Sequence, residues 1–251
     1  MSDLLILVLS CQAHRQGRQA AVRASWGRRP ERGQRILYVE GGHPGDRIEE
    51  DRLLLSAPDG YADLAEKSYR MLEYCLRTLE FRALVKCDDD TYLDCARLAA
   101  ASGDFGDYAG NPPPDQPQFE PYAQGGCYWL SCKAVQAVVS RPFAEHAAAP
   151  WFKGNSRMRK LGEKRYRESV SIEDVMIGSL LHEAGIRLRA DRRFHPDLRP
   201  PLYSRPDLIS NHYVPPAWMH RLERMRTWPR TPFRRTLMSL WTRLPGGGAP
   251  R

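Results

Sequence analysis

The chain has 251 residues, 42% of them hydrophobic, so it can bury a full core and a disordered chain is excluded as the default. Its net charge is +8, from 38 lysines and arginines against 30 acidic residues. This balance is compatible with nucleic acid, an anionic membrane surface or a nucleotide-bearing substrate as partner. Because no zinc, helix-turn-helix or RNP-type signature accompanies the charge, we expect no nucleic-acid partner.

The first apolar run, Leu4–Leu9, predicts a buried strand. It is shorter than the ~18 apolar residues that a membrane-spanning helix needs, and no other stretch of the chain reaches that length. It also lacks the basic start and the cleavage site of a signal peptide. The six cysteines have no metal-ligand spacing, which favours reduced thiols. We therefore expect a cytoplasmic protein with no signal peptide and no transmembrane segment.

Strands and helices alternate in the first half of the chain. Strands are predicted at 4–9, 35–40 and 81–87, and helices at 18–26 and 61–79. This alternation favours a mostly parallel sheet covered by helices, and so an α/β fold.

The second half has a different texture. A proline-rich loop is predicted at 111–117, and a turn at 125–126 leads through a short apolar segment into a helix. A further helix is predicted at 171–184, and a strand at 186–189.

Three consecutive aspartates, Asp88, Asp89 and Asp90, follow the strand at 81–87. Neighbouring carboxylates raise one another's pKa unless a cation or hydrogen-bond donors compensate. The triplet is therefore either a solvated acidic turn or a platform for a hard divalent metal, and ligands of open α/β sheets lie beyond such strand ends. Lys86 either flanks that site or is an isolated lysine of an edge strand.

Two further positions have both a structural and a functional interpretation. Asp174 stands at the start of the helix at 171–184, where it completes an acidic capping box with Ser171 or holds a general base. His212 lies in a proline-flanked loop that leaves its imidazole able to reach a site.

Five sequence blocks occur in a fixed order: RQAAVRASWG, YADLAEKSYRMLEYCL, LVKCDDDTYL, EPYAQGGCYWLS and IEDVMIG. Together they resemble the β-1,3-galactosyltransferase family, glycosyltransferase family 31, over residues 15–220. The second block departs from the family because it lacks an Asn-Leu-Thr. The membrane anchor and stem of eukaryotic members do not precede the first strand, which favours a bacterial-type soluble member.

The resemblance implies a GT-A fold with a single Rossmann-like mixed sheet and flanking helices. It implies a UDP-sugar donor, Mn²⁺ or Mg²⁺, and inverting transfer of a hexose, galactose first, in β-1,3 linkage to a glycan or lipid-linked saccharide. The alternatives are transfer of N-acetylglucosamine and a non-catalytic sugar-nucleotide or glycan-binding relative.

Matched block by block, the family assigns a role to individual residues of this chain. Asp174 corresponds to the general base. The metal ligands correspond to Asp88, Asp90 and His212. The nucleotide-side residues are Arg18, Arg23, Lys86, Asp88, Asp89, Gly125 and Gly126. Trp26 belongs to the first block, and Tyr122 and Ser131 match the block that lines the cleft.

The C-terminal region is basic, rich in aromatic residues and interrupted by prolines. We predict a glycosyltransferase domain over 1–220 and a basic amphipathic extension over 221–251. Such a segment either lies on an anionic membrane, which would place the enzyme at the inner membrane face near a lipid-linked acceptor, or packs on the domain with a solvated basic face.

Removal of residues 226–251 separates these two interpretations. The membrane interpretation predicts that the full chain co-sediments with anionic liposomes and that the truncated chain loses this binding, because the basic charge is removed. Equal sedimentation of the two chains would reject the membrane interpretation.

Overall fold

The computed structural model describes residues 3–114, 119–147, 172–197 and 207–226. The predicted cap at Ser171 and nearly all of the basic extension lie outside these residues.

The described residues form eleven strands and seven α-helices. The strands are β1 Leu4–Leu9, β2 Gln34–Glu40, β3 Arg47–Glu49, β4 Arg52–Leu54, β5 Ala83–Asp88, β6 Tyr92–Leu93, β7 Tyr108–Gly110, β8 Cys127–Ser131, β9 Arg189–Ala190, β10 Phe194–His195 and β11 Ser210–Asn211. The helices are α1 Ala20–Ala24, α2 Leu64–Thr78, α3 Cys95–Ala101, α4 Cys132–Val138, α5 Phe143–Ala147, α6 Glu173–Glu183 and α7 Pro216–Arg226.

An eight-stranded sheet in the order β3-β4-β2-β1-β5-β8-β7-β9 forms the centre of the fold. β1 lies parallel to both β2 and β5, and every residue of its LLILVL sequence is buried, as expected for a strand covered on both faces. β8 runs antiparallel to β5 and to β7. The sheet is therefore mixed rather than mostly parallel. The sequence could not predict this, because alternating apolar segments do not encode the direction of β8.

Helices cover both faces of this sheet. Leu5, Leu7 and Leu9 of β1 belong to the core that includes apolar residues of α2, α4 and α6. The alternate residues of β1 point to the other face, into the core shared with α1, α3 and α7. The predicted α/β class with one large mixed sheet and flanking helices is thus confirmed.

A second, small sheet in the order β10-β11-β6 corrects the expectation of a single sheet. β11 pairs antiparallel with β6, with Asn211 opposite Tyr92. These two-residue strands are too short to leave a periodic pattern in the sequence, and they bring two distant parts of the chain together.

Most predicted elements are present with shifted ends. The helix predicted at 18–26 is the shorter α1, preceded by a π-helical turn at Arg15–Gln19 and followed by a 3₁₀ turn at Trp26–Arg28. The strand predicted at 186–189 is β9, which starts only at Arg189.

Three further features bear on the sequence expectations. All six cysteines are free. Among the described residues, no helix combines the length and the apolar character needed to cross a membrane. The predicted domain boundary at residue 220 falls inside α7, where Met219 and Leu222 are buried in the core. The role of the basic extension stays a prediction.

Candidate active site

The aspartate triplet lies at the carboxyl end of β5, beside the centre of the large sheet. Asp88 is the last residue of the strand, and its N–H donates to the carbonyl of Gly126 (3.1 Å). Thr91 closes the turn: its N–H donates to the Asp88 carbonyl and its hydroxyl to the Gly126 carbonyl. The indole of Trp26 donates to the Thr91 carbonyl, so Trp26 supports the turn from the core. The triplet is therefore held in a fixed turn.

Asp88, Asp90 and His212 form a three-residue cluster whose potential ligand atoms all lie within 4.8 Å of one another. His212 Nε2 is 3.4 Å from Asp88 Oδ2 and 3.1 Å from Asp90 Oδ1. Asp90 Oδ1 is buried and makes no hydrogen bond of acceptable geometry. A carboxylate oxygen without a donor, next to a second carboxylate and an imidazole, suits a hard divalent cation such as Mn²⁺ or Mg²⁺. These residues fit the predicted metal.

The charged residues of the cluster and Lys86 shift one another's pKa values. Burial by itself would raise the pKa of Asp88, but Lys86 and His212 outweigh it and lower that pKa to about 2. Burial would lower the pKa of His212, and the neighbouring carboxylates of Asp88 and Asp90 instead raise it to about 9. In the metal-free protein the imidazole is thus protonated, and a bound metal would have to displace that proton.

The small sheet brings His212 to the triplet. β6 begins two residues after Asp90 and β11 ends one residue before His212, so the pairing of these strands sets the two side chains beside each other. The N–H of Val214, two residues after His212, donates to the Asp90 carbonyl (2.7 Å) and fixes the loop that follows the histidine.

Asp89 is buried and does not belong to the metal cluster. Its carboxylate accepts hydrogen bonds from the hydroxyl of Ser10 (2.6 Å) and from Arg18 Nη1 (3.2 Å), and it lies 2.6 Å from His14 Nδ1. It therefore anchors the segment that follows β1. Its predicted contact with a nucleotide stays a prediction.

The two predicted arginines have different surroundings. Arg18 is half-exposed and reaches both Asp89 and Asp90 Oδ2 (3.3 Å), so it stands at the rim of the cluster. Arg23 forms a bidentate pair with Asp51 at 2.8 and 2.9 Å and stacks over the ring of Tyr38. Arg18 contacts the triplet and Arg23 does not, and the assignment of both arginines to the nucleotide side stays a prediction.

Lys86 is buried and connects three parts of the site. Its ammonium donates to Asp88 Oδ1 (2.8 Å) and to the carbonyl of Gly125 (2.6 Å), and it lies 3.3 Å from Glu173 Oε2. Burial alone would lower the pKa of Lys86, but Asp88 and Glu173 outweigh it and raise the pKa above its ordinary value. Lys86 is thus not an isolated lysine of an edge strand; it is a buried counterion.

Asp174 lies in the first turn of α6, where the predicted helix start placed it. Its carboxylate accepts from the N–H of Gly125 (3.0 Å) and from that of Val175 (2.9 Å). Burial and the charge of Glu173 raise the pKa of Asp174 to about 6, although Lys86 and the two N–H donors act in the opposite direction. A carboxylate whose pKa lies near neutrality is suited to general-base catalysis.

The turn at Gly125 and Gly126 contacts both the metal cluster and the acidic start of α6. A Cβ at Gly125 would lie 3.3 Å from Glu173 Oε2 and 3.5 Å from Asp174 Oδ2. A Cβ at Gly126 would lie 2.4 Å from His212 Nδ1, a distance at which one of the two groups must move. The missing side chains therefore allow the acidic end of α6 and the imidazole to approach the same backbone.

Two residues from the fourth sequence block lie outside the site. Ser131 ends β8 opposite Ala83, at the far end of the strand pair from Asp88, and its hydroxyl caps α4. Tyr122 is buried in the core, where Gly178 of α6 lets the helix come close to it. Their predicted place in the cleft lining is not supported by these positions.

Sequence reasoning missed several partners of the site. Glu173 accepts from the hydroxyl of Tyr128 and pairs with Lys86, and its position next to Asp174 was the available signal. Ser10 and His14 follow the carboxyl end of β1, where polar residues of an open sheet are expected to face a ligand.

Comparisons with known proteins give likenesses among solved structures. No protein-family model and no curated protein matches the chain. Two structures of the galactosyltransferase LgtC are similar to it: an active-site mutant at 12% identity, and a complex with donor and acceptor sugar analogues at 14% identity. Each has a TM-score of 0.47 and covers 96% of this chain and 98% of that chain. At these values neither likeness assigns an activity or a ligand, and the fold description rests on the strand order above.

Substitution of Gly126 tests how His212 is placed. We expect Gly126→Ala to weaken Mn²⁺ binding about 10- to 100-fold, because the new methyl group would displace the imidazole from Asp88 and Asp90. Titration of Mn²⁺ followed by electron paramagnetic resonance measures this affinity. Gly103→Ala is the matched control, since a Cβ there meets nothing within 4 Å. Equal Mn²⁺ affinity in the two variants would show that His212 does not bind the metal.

Proposed function

We propose that the chain is a metal-dependent inverting glycosyltransferase of GT-A type that moves a hexose, galactose first, from a UDP-sugar to a glycan or lipid-linked saccharide in β-1,3 linkage. The observation that carries this proposal is the pairing of two different acidic centres at one edge of the sheet. Asp88 and Asp90 with His212 suit a cation, and Asp174 has the raised pKa of a base. Lys86 and the turn at 125–126 join the two centres.

The metal cluster serves the leaving group in this proposal. Asp88, Asp90 and His212 would hold the divalent ion, which neutralises the diphosphate when it is bound. Arg18 stands beside Asp90 with part of its guanidinium exposed, and a guanidinium is well matched to phosphate oxygens. These residues would therefore bind UDP and orient its β-phosphate toward the turn that follows β5.

Asp174 acts on the acceptor. Its carboxylate takes the proton of the acceptor hydroxyl as that oxygen attacks the anomeric carbon. The bond between the anomeric carbon and the phosphate oxygen breaks in the same step, and its electron pair leaves with UDP. The attack comes from the face opposite the leaving group, so the configuration is inverted. The N–H groups of Gly125 and Val175 hold the carboxylate in one orientation during this transfer.

The donor sugar is the least constrained part of the proposal. Galactose, N-acetylglucosamine and glucose differ at single positions that a few loop side chains can distinguish. A panel of UDP-galactose, UDP-N-acetylglucosamine and UDP-glucose, assayed for hydrolysis and transfer with Mn²⁺, selects among them. UDP binding without turnover of any donor would favour the non-catalytic sugar-nucleotide-binding alternative.

Asp174→Asn tests the general base. We expect transfer to fall about 10²- to 10⁴-fold, because the amide cannot accept the hydroxyl proton. UDP affinity in the presence of Mn²⁺ should survive, since the amide oxygen can still accept from Gly125. Rates are measured by product formation and affinities by isothermal titration calorimetry.

Two controls accompany this variant. EDTA should abolish turnover by the unmodified protein, and added Mn²⁺ should restore it. Full activity of Asp174→Asn would leave the residue with a purely structural role at the start of α6.

The pH profile of transfer tests the environment of Asp174. We expect the rate to rise with pH through about 6 and then level off, because only the deprotonated carboxylate acts as a base. Glu173→Gln removes a negative charge that raises the pKa of Asp174, so the rising limb should move to lower pH. Glu183→Gln, at the exposed far end of the same helix, is the control and should not move the limb. An unshifted limb in Glu173→Gln would contradict the assignment of Asp174.

A further inference from the structure

Tyr213 has an unusual backbone conformation directly after His212. Its φ is +55°, and among the described residues Glu50 is the other non-glycine residue with a positive φ. This conformation is strained for a bulky residue, and residues that keep it tend to lie at functional sites. The ring of Tyr213 stacks on the imidazole of His212, with centroids 3.8 Å apart and planes inclined by 22°. The backbone strain thus holds an aromatic ring flat against a member of the candidate metal cluster.

The ring of Tyr213 is also exposed. Tyr213 is 60% exposed and Tyr61 is 84% exposed, and they are the exposed large hydrophobic residues of the described part of the chain. Burial of the hydroxyl raises the pKa of Tyr213, and the charges of Asp90, Asp88 and Asp174 and the nearby hydroxyl of Tyr61 raise it further. Tyr213 is therefore within electrostatic reach of both acidic centres and of Tyr61.

We propose that the exposed face of the Tyr213 ring is the platform on which the hexose ring of the acceptor stacks. One face of the ring is covered by His212, and the other is presented to solvent. The face of a pyranose that carries only C–H groups is apolar, and it packs on the electron-rich face of an aromatic ring. This inference rests on the proposed function and adds to it a residue that binds the acceptor.

The neighbours of His212 favour an acceptor over a nucleobase as the occupant. A Cβ at Gly126 would lie 2.4 Å from His212 Nδ1, and the N–H of the adjacent Gly125 donates to Asp174 Oδ2 (3.0 Å). The ring of Tyr213 stacks on that imidazole, so it is linked through this turn to the proposed base. A sugar on this platform would be near Asp174, which has to reach the acceptor hydroxyl.

Replacement of the ring tests the platform. Tyr213→Asn removes the ring without adding strain, because asparagine tolerates positive φ better than other non-glycine residues. Methyl β-D-galactoside and methyl N-acetyl-β-D-glucosaminide are the probes, titrated in the presence of UDP and Mg²⁺ and followed by saturation-transfer NMR. We expect the dissociation constant of the bound glycoside to rise about 2- to 10-fold in Tyr213→Asn, the range of one aromatic stacking contact. Tyr213→Phe keeps the ring and should bind the glycoside like the unmodified protein.

The readouts separate this inference from the proposed function. UDP affinity, measured by calorimetry with Mg²⁺, should be equal in Tyr213→Asn and in the unmodified protein. Unchanged glycoside affinity in Tyr213→Asn, or no saturation transfer to either glycoside in the unmodified protein, would overturn the platform. Loss of UDP affinity in Tyr213→Asn but not in Tyr213→Phe would overturn it in favour of a nucleobase platform. Failure of the unmodified protein to bind UDP would instead reject the proposed function.

Discussion

The arrangement of the site depends on one buried positive charge, the ammonium of Lys86. Its side chain is only 2% exposed, and it is partnered by Asp88 of β5, Glu173 of α6 and the carbonyl of Gly125. A buried charge is tolerated only when it is paired, and loss of one partner of such a pair typically costs about 3–5 kcal/mol. The helix and the loop before β8 are therefore tied to β5 at this point. Because Asp88 belongs to the metal cluster and Glu173 precedes Asp174, the same charge sets the two acidic centres side by side.

A second constraint comes from the turn before β8. The antiparallel register places Cys127 opposite Cys87, so Gly125 and Gly126 come level with the end of β5 and with Asp88. Their backbone groups bind Asp88, Lys86 and Asp174, and the space that side chains would occupy is filled by His212 and by the carboxylates of α6. In a parallel neighbour the loop that follows the strand would lie at this edge, whereas the antiparallel direction of β8 places here the turn that precedes it.

The sequence predicts the parts of the site that depend on local pattern. β1 is found with its predicted ends, the triplet begins at the last residue of β5, and Asp174 is in the first turn of α6. Pairings between distant segments could not be predicted. β6 and β11 have two residues each and no periodicity, although they bring His212 to Asp90. The burial of the Lys86 side chain could not be predicted either, because its partners Glu173 and Gly125 come from elements whose packing the local sequence pattern does not determine.

The charges around the triplet explain why three adjacent aspartates have different roles. Asp88 is paired with Lys86, Asp89 with Arg18 and the hydroxyl of Ser10, and Asp90 shares Arg18. Together with Glu173 these carboxylates outnumber Lys86 and Arg18, so negative charge is in excess around the triplet. This excess is consistent with the raised pKa of His212. A divalent cation would reduce it, and it would also satisfy the buried Asp90 oxygen that makes no hydrogen bond. The middle aspartate is therefore best understood as part of the scaffold, and the outer two as the pair whose charge is left for a ligand.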